Sequence, residues 1–117
     1  MVHTPTFDIR ISRKGTMDIV TVQGEIDLVT APLFQDAFEG LGSRVTVDLR
    51  EVSFMDSSGL AVLIKQMGQV SGDELRIVAD SPPVLRLFEL SGLTEFLDPI
   101  TDPVPSGRKT KPKIKAP

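Results

Sequence analysis

The sequence of residues 45–67 is VTVDLREVSFMDSSGLAVLIKQM. Its first five residues are β-branched or apolar apart from Asp48, a composition typical of a short central strand. A polar turn follows at residues 56–59, and apolar residues then recur at the spacing of an amphipathic helix. The segment therefore predicts a strand, a turn and a helix in succession, which is the repeating unit of an α/β fold. The four helical positions are Leu60, Leu63, Ile64 and Met67.

A β-hairpin is predicted before this unit. Apolar and polar side chains alternate over residues 7–12, and a second β-rich run covers residues 19–24. Residues 14–16 contain a glycine between the two runs, as a hairpin turn requires. The chain then enters a loop predicted at residues 25–27.

A short helix is predicted after this loop. Thr30 is placed to cap its free N–H groups, and Pro32 is tolerated in its first turn. Gly40 and Gly42 mark the end of the helix. Its apolar stripe consists of Leu33, Phe34, Ala37, Phe38 and Leu41.

The pattern repeats once more toward the C-terminus. Residues 75–79 predict another strand, and Asp80 and Ser81 are cap candidates for a helix that begins at Pro82-Pro83. Gly92 fits the left-handed position that follows a helix. A last edge strand is expected at Phe96 and Leu97.

The order of these elements predicts an α/β fold with a single domain. Alternating strands and helices form parallel pairs through right-handed crossovers, and the hairpin makes the sheet mixed. We expect four or five strands, with the helices packed mainly on one face. The domain is expected over residues 7–98, after a flexible N-terminus at residues 1–6 and before a disordered tail, rich in proline and lysine, at residues 99–117.

The composition argues against an enzyme. The chain has no cysteine, and its one histidine, His3, lies among the first residues. No disulfide, thiolate metal site or cysteine nucleophile is possible, and imidazole chemistry has no placed residue. Because a glycine-rich phosphate loop is also missing, we expect no catalytic residues, no metal site and no cofactor.

The charge distribution argues against direct nucleic-acid binding. Of 13 Lys and Arg and 16 Asp and Glu, five cations fall in the last ten residues, so residues 1–102 carry a formal net charge of −8. An acidic body lacks the clustered cations that phosphate contacts need. We also expect no membrane segment and no signal peptide, and therefore a cytoplasmic protein.

The turn at residues 56–59 allows two interpretations. The simpler one is a helix N-cap, in which Asp56 or a serine accepts hydrogen bonds from the first N–H groups. A cap needs only one side chain, however, and this turn offers a carboxylate and two hydroxyls. The other interpretation is a modifiable serine, because phosphorylation of Ser57 would place about −1.5 to −2 charges at the surface.

Three stretches resemble one protein family. Residues 45–60, with the turn Asp56-Ser57-Ser58-Gly59, are similar to the signature of the STAS domain in bacterial anti-sigma factor antagonists. Residues 24–31 resemble the first loop and helix start of that family, and residues 81–93 resemble its third helix. The resemblance covers residues 7–98.

The resemblance implies a regulator of transcription in a stress response. The antagonist would bind an anti-sigma factor that is also a serine kinase, and so release a sigma factor. The kinase would switch the antagonist off by phosphorylating Ser57, and a PP2C-type phosphatase would restore it. The implied partner-binding residues are Asp27, Met55, Asp56, Ser57, Ser58 and Gly59.

The sequence is also compatible with other functions. The domain could instead serve as an adaptor subunit of a lipid-transport or stress-signalling assembly, without a phosphorylation switch. Asp27 could be a turn residue of the Asx type, and Phe54 is expected in the core. Residues 99–117 contain five prolines where family members carry a further helix, which leaves room for a partner or for a homodimer.

Overall fold

The computed structural model describes residues 7–69 and 74–99. An N-terminal hairpin of two strands is followed by three helices that alternate with two further strands, in the predicted order. The predictions for residues 1–6 and 100–117 lie outside the described residues. The elements are β1 (Phe7–Lys14), β2 (Met17–Ile26), α1 (Ala31–Asp36), β3 (Arg44–Met55), α2 (Ser57–Gln69), β4 (Glu74–Val78), α3 (Pro82–Leu90) and a 3₁₀ helix (Thr94–Phe96).

The strands form one mixed sheet in the order β1-β2-β3-β4. β1 pairs antiparallel with β2, while β2–β3 and β3–β4 are parallel. Lys14 pairs with Met17 across a two-residue turn, in which Gly15 has a φ of 63°. Glycine adopts this left-handed conformation without the steric cost of a β-carbon. The predicted hairpin and the mixed sheet are both confirmed.

Two strands are longer than the sequence predicted. The loop expected at residues 25–27 is wrong for Glu25 and Ile26, which continue β2 and pair with Phe54 and Met55. β3 likewise extends beyond Leu49 to Met55. Polar residues in these segments suggested loops, but pairing with the neighbouring strand satisfies their backbone groups and outweighs local preference.

All three helices pack on the same face of the sheet. Residues paired across neighbouring parallel strands point to one side, so Val20, Val47 and Ile77 lie side by side. These three residues share one buried cluster with side chains from each helix. The helical members include Phe34 from α1, Leu63 from α2 and Phe88 from α3. The expected one-sided arrangement is therefore present.

All three predicted helices are present, but several of their details differ from the prediction. α1 ends at Asp36, so Phe38 is buried from the turns that follow the helix. Leu33 and Ile64, both placed on apolar stripes, are 56% and 48% exposed because each lies at the margin of its stripe. Ser81 occupies the N-cap of α3 but makes no capping hydrogen bond with its side chain. Gly92 has a φ of 73° after α3, as predicted.

The last predicted strand is wrong within the described residues. Residues 94–96 form a 3₁₀ helix, and Leu97 makes a single isolated bridge to Ile77. The N–H of Asp98 then donates to the carbonyl oxygen of Ile77 at 2.8 Å. Pro99 follows immediately, and a proline has no N–H with which to continue the ladder.

A buried arginine holds this end of the domain against β4. Arg76 is 2% exposed, and its guanidinium lies 3.0 Å from the carboxylate of Glu74 and 3.8 Å from that of Asp98. Arg76 alternates with the core residue Ile77, so it lies on the face opposite the helices. Pairing of this kind offsets the cost of burying a charge.

Candidate functional site

The predicted site residues lie where β2 and β3 end side by side. Ile26 and Met55 are paired in the parallel ladder, and each is followed by an aspartate. The N–H of Asp56 donates to the carbonyl oxygen of Ile26 at 3.1 Å, which ties the two strand ends together. The loop that begins at Asp27 and the turn that begins at Asp56 therefore share one edge of the sheet.

Asp56 caps helix α2. Its side-chain oxygen Oδ1 accepts a hydrogen bond from the N–H of Ser58 at 2.8 Å. Its carbonyl oxygen accepts from the N–H groups of Gly59 and Leu60 at 3.1 and 3.2 Å. The Asp56 carboxylate thus provides the side-chain cap, so the two serine hydroxyls are not needed for capping.

Ser57 is the first residue of α2, and its side chain is exposed. Its hydroxyl makes no hydrogen bond within the part of the chain that the structure describes. Ser58 is half-buried beside it. An accessible hydroxyl at a helix N-terminus can accept a phosphoryl group, because the helix dipole favours an added anion there.

Gly59 and Met55 lie on the buried side of the start of α2, next to each other. Both are buried, with Met55 3% exposed. A β-carbon at Gly59 would lie 2.6 Å from Cγ of Met55, far inside van der Waals contact. The expectation that Met55 contacts a partner is therefore corrected, because strand alternation turns this side chain into the core.

The same alternation exposes Phe54. Its side chain is 45% exposed, so the prediction that it belongs to the core is wrong. Phe54 precedes Met55 in β3 and therefore points to the opposite side of the sheet.

Asp27 organises the loop between β2 and α1. Its Oδ1 atom accepts hydrogen bonds from the N–H groups of Val29 and Thr30 at 2.9 and 3.0 Å. These hydrogen bonds hold the pKa of the Asp27 carboxyl below its ordinary value, and the bond from the Thr30 N–H has the largest effect. Desolvation acts in the opposite direction and is outweighed. The Asx-type interpretation of Asp27 is thus confirmed.

Thr30 has a different role from the one predicted. It occupies the N-cap position of α1, yet its side chain makes no capping hydrogen bond. Its Oγ1 atom instead accepts from the N–H of Asp27 and donates to the carbonyl oxygen of Glu25, both at 2.9 Å. These bonds close the loop back onto the end of β2.

Two apolar side chains in this loop were not predicted as site residues. Leu28 and Val29 are 76% and 80% exposed, the largest exposures among the large hydrophobic residues described. They follow Asp27 and precede α1, so they lie at the edge that carries Ser57. Leu28 and Val29 lie between the polar residues Asp27 and Thr30 and outside any apolar stripe. This position was the feature of the sequence that indicated their exposure.

The described residues contain no group of three or more His, Cys, Asp or Glu side chains placed to hold a metal ion. None of their helices combines the length and apolar character needed to cross a membrane.

Comparisons with known proteins agree on one family. A family model described as "Mlab, STAS domain" matches residues 9–100. The anti-sigma-B factor antagonist of Listeria monocytogenes serovar 1/2a is 38% identical over 98 residues, which are 77% of this chain and 85% of that protein.

Solved structures agree with this result. An anti-sigma factor antagonist from Mycobacterium paratuberculosis superposes with a TM-score of 0.74 at 27% identity, covering 79% of this chain and 83% of that one. Unphosphorylated SpoIIAA, also an anti-sigma factor antagonist, gives a TM-score of 0.71 at 20% identity, covering 81% of this chain and 90% of that one. The latter similarity concerns the fold.

Proposed function

This chain belongs to the STAS domain family, and from that membership we propose that it acts as an anti-sigma factor antagonist with Ser57 as its regulatory site. The observation that carries this proposal is the Ser57 hydroxyl, which is exposed at the first position of α2. Asp56 performs the capping, so a modification of Ser57 leaves the helix start intact. The serine is free to serve regulation.

The partner is an anti-sigma factor that is also a serine kinase. It docks on the edge formed by Asp27, Asp56, Ser57 and Ser58 and thereby releases its sigma factor, in the cytoplasm where transcription takes place. The exposed side chains of Leu28 and Val29 add apolar area to this surface. Apolar groups at the centre of an interface, with polar groups around them, are the usual arrangement in protein complexes.

Phosphorylation ends the complex through charge. A phosphate on Ser57 adds about −1.5 to −2 charges beside the carboxylate of Asp56. The helix N-terminus accommodates this anion in the free antagonist. In the complex, the same anion must lose water against a surface that fitted an uncharged hydroxyl, and this cost weakens binding. A PP2C-type phosphatase removes the phosphate and restores the antagonist.

The decisive experiment combines a kinase assay with a binding assay. The full chain is incubated with the anti-sigma factor kinases of the same organism and magnesium ATP, and its intact mass is measured. We expect a single phosphate on the wild type and on Ser58→Ala, and none on Ser57→Ala. A phosphate that persists in Ser57→Ala would contradict the assignment of the site.

The binding assay separates the effect of a negative charge at position 57 from the effect of a larger side chain. Ser57→Asp and Ser57→Asn differ by one charge and hardly in size, and titration calorimetry gives the affinity of each for the kinase. We expect Ser57→Asp to bind about tenfold or more weakly than Ser57→Asn. Equal affinities would remove the electrostatic switch. No phosphate and no affinity for any of these kinases would overturn the proposal and favour an adaptor role in another assembly.

A further inference from the structure

The strand β1 forms one edge of the sheet. It pairs with β2 on one side, and no described strand pairs with it on the other. Its apolar residues Phe7 and Ile9 are half-buried against the core, whereas Ile11 is 49% exposed. An edge strand presents unpaired N–H and C=O groups, to which another strand can add.

We propose that this edge pairs with the same edge of a second copy, antiparallel and about a twofold axis that passes midway between the Ile9 residues of the two copies. An axis perpendicular to the sheet keeps the helices of both copies on the same side. The two sheets then join into one continuous sheet. This inference goes beyond the proposed function and does not depend on Ser57.

The charges on β1 fix the register. With the axis at Ile9, Asp8 of each copy lies opposite Arg10 of the other, so two ion pairs form across the junction. With the axis moved to residue 8 or residue 10, Asp8 faces Asp8 or Arg10 faces Arg10. Opposite charges on directly opposed residues stabilise a strand pair, and like charges destabilise it. Within one strand, Asp8 and Arg10 form only a long ion pair of 4.0 Å, and both side chains are more than 60% exposed. Such an exposed pair contributes little, so the pairs across the junction can replace it.

The apolar side of β1 matches in the same register. Phe7 of each copy lies opposite Ile11 of the other, and Ile9 lies opposite Ile9. The exposed side chain of Ile11 is thus covered by an aromatic ring that already packs against the core. With the axis at residue 11, by contrast, Ile9 would face Arg13. The register with Ile9 opposite Ile9 therefore gives favourable side-chain pairs on both faces of β1.

Cysteine crosslinking tests this register directly, because the chain contains no cysteine. Opposed residues of antiparallel strands have Cα atoms about 4.5–5.5 Å apart, within the range that a disulfide spans. We expect Ile9→Cys to form a covalent dimer on mild oxidation. Ser12→Cys is the matched control, since its two copies would lie roughly 20 Å apart. Equal crosslinking of the two variants, or none at Ile9→Cys, would overturn the register.

Charge exchange tests the ion pairs in the full chain without added cysteine. Analytical ultracentrifugation over a range of concentrations gives the dimer dissociation constant. We expect Arg10→Asp and Asp8→Arg each to raise it about tenfold or more, and the double variant Asp8→Arg/Arg10→Asp to restore it. Circular dichroism verifies that each variant is folded. A wild type that stays monomeric at all concentrations, or a double variant that is not restored, would contradict the proposal, and neither result bears on the kinase assay of Ser57.

Discussion

A β-carbon on Gly59 would lie 2.7 Å from Cγ2 of Ile26. Gly59 is the third residue of α2, and Ile26 is the last residue of β2. The start of α2 therefore approaches the sheet more closely than any side chain at position 59 allows. The φ of Gly59 is not positive, so packing rather than backbone conformation requires the glycine.

Replacing Gly59 should destabilise the domain. Gly59→Ala forces a methyl group against Ile26 and Met55, and overpacking of this kind costs about 1–3 kcal/mol. Urea unfolding measures the loss. Gly68→Ala is the control in the same helix, because a β-carbon there meets nothing within 4 Å. It should raise the free energy of unfolding by up to about 1 kcal/mol. A stable Gly59→Ala protein would refute the packing explanation.

The cap of α2 should depend on Asp56 and not on Ser57. Asp56→Ala removes the acceptor for the Ser58 N–H and should lower the free energy of unfolding by about 1 kcal/mol. Ser57→Ala removes an exposed hydroxyl and should change it by less than about 0.5 kcal/mol. Thermal unfolding of the two variants beside the wild type compares them. The reverse ranking would make Ser57 the cap.

Acid should remove the contribution of Asp27. Its lowered pKa means that the folded state favours the carboxylate, so the stabilisation is present above the ordinary carboxyl pKa of 3.8 and is lost as the pH falls through the lowered value. Asp27→Asn keeps an oxygen acceptor but cannot titrate. We expect the difference in unfolding free energy between wild type and Asp27→Asn to be constant near neutral pH and to shrink below about pH 4. Parallel pH profiles would show that the Asp27 carboxylate contributes nothing.

The buried Arg76 should matter far more than an exposed arginine. Arg76→Met leaves the carboxylates of Glu74 and Asp98 without this guanidinium, and breaking a buried pair costs about 3 kcal/mol. Arg13→Met removes a cation whose side chain is 64% exposed beside Asp18, so it should cost less than about 1 kcal/mol. Urea unfolding at neutral pH distinguishes them. Similar losses for the two variants would mean that burial of Arg76 carries no extra cost.

The exposed loop should contribute to partner binding and not to folding. Leu28→Ser/Val29→Ser removes two side chains that are at least 76% exposed, so the thermal midpoint should stay nearly constant. Affinity for the anti-sigma factor should fall, because exposed apolar groups gain most when a partner covers them. Leu90→Ser is the control: Leu90 is 74% exposed at the far end of α3. Equal affinity for all three proteins would exclude the loop from the interface.

Local sequence patterns predicted most of the helices and strands. They failed where the bounds of a strand, or the face to which a side chain points, depend on pairing with a distant strand. Helix α2 was predicted because its cap and its apolar positions all lie within one short stretch of the sequence. The continuation of β2 through Glu25 and Ile26 was missed, because their partners Phe54 and Met55 lie far along the chain. The exposed Phe54 and the buried Met55 were misplaced for the same reason: strand alternation assigns faces only when the full length of the strand is known.

The sequence by itself determined the α/β order, the hairpin turn at Gly15 and the helix that follows β3, although the turn predicted at residues 56–59 is helical from Ser57 onward. Each depends on conformational preferences and periodicities within a few residues. Only the tertiary structure decided that Asp27 and Asp56 share one edge, that Asp56 rather than a serine caps α2, and that Ile26 leaves no room for a β-carbon on Gly59. The first and the third of these relationships join residues that are distant in the chain, and the parallel pairing of β2 with β3 brings those residues together.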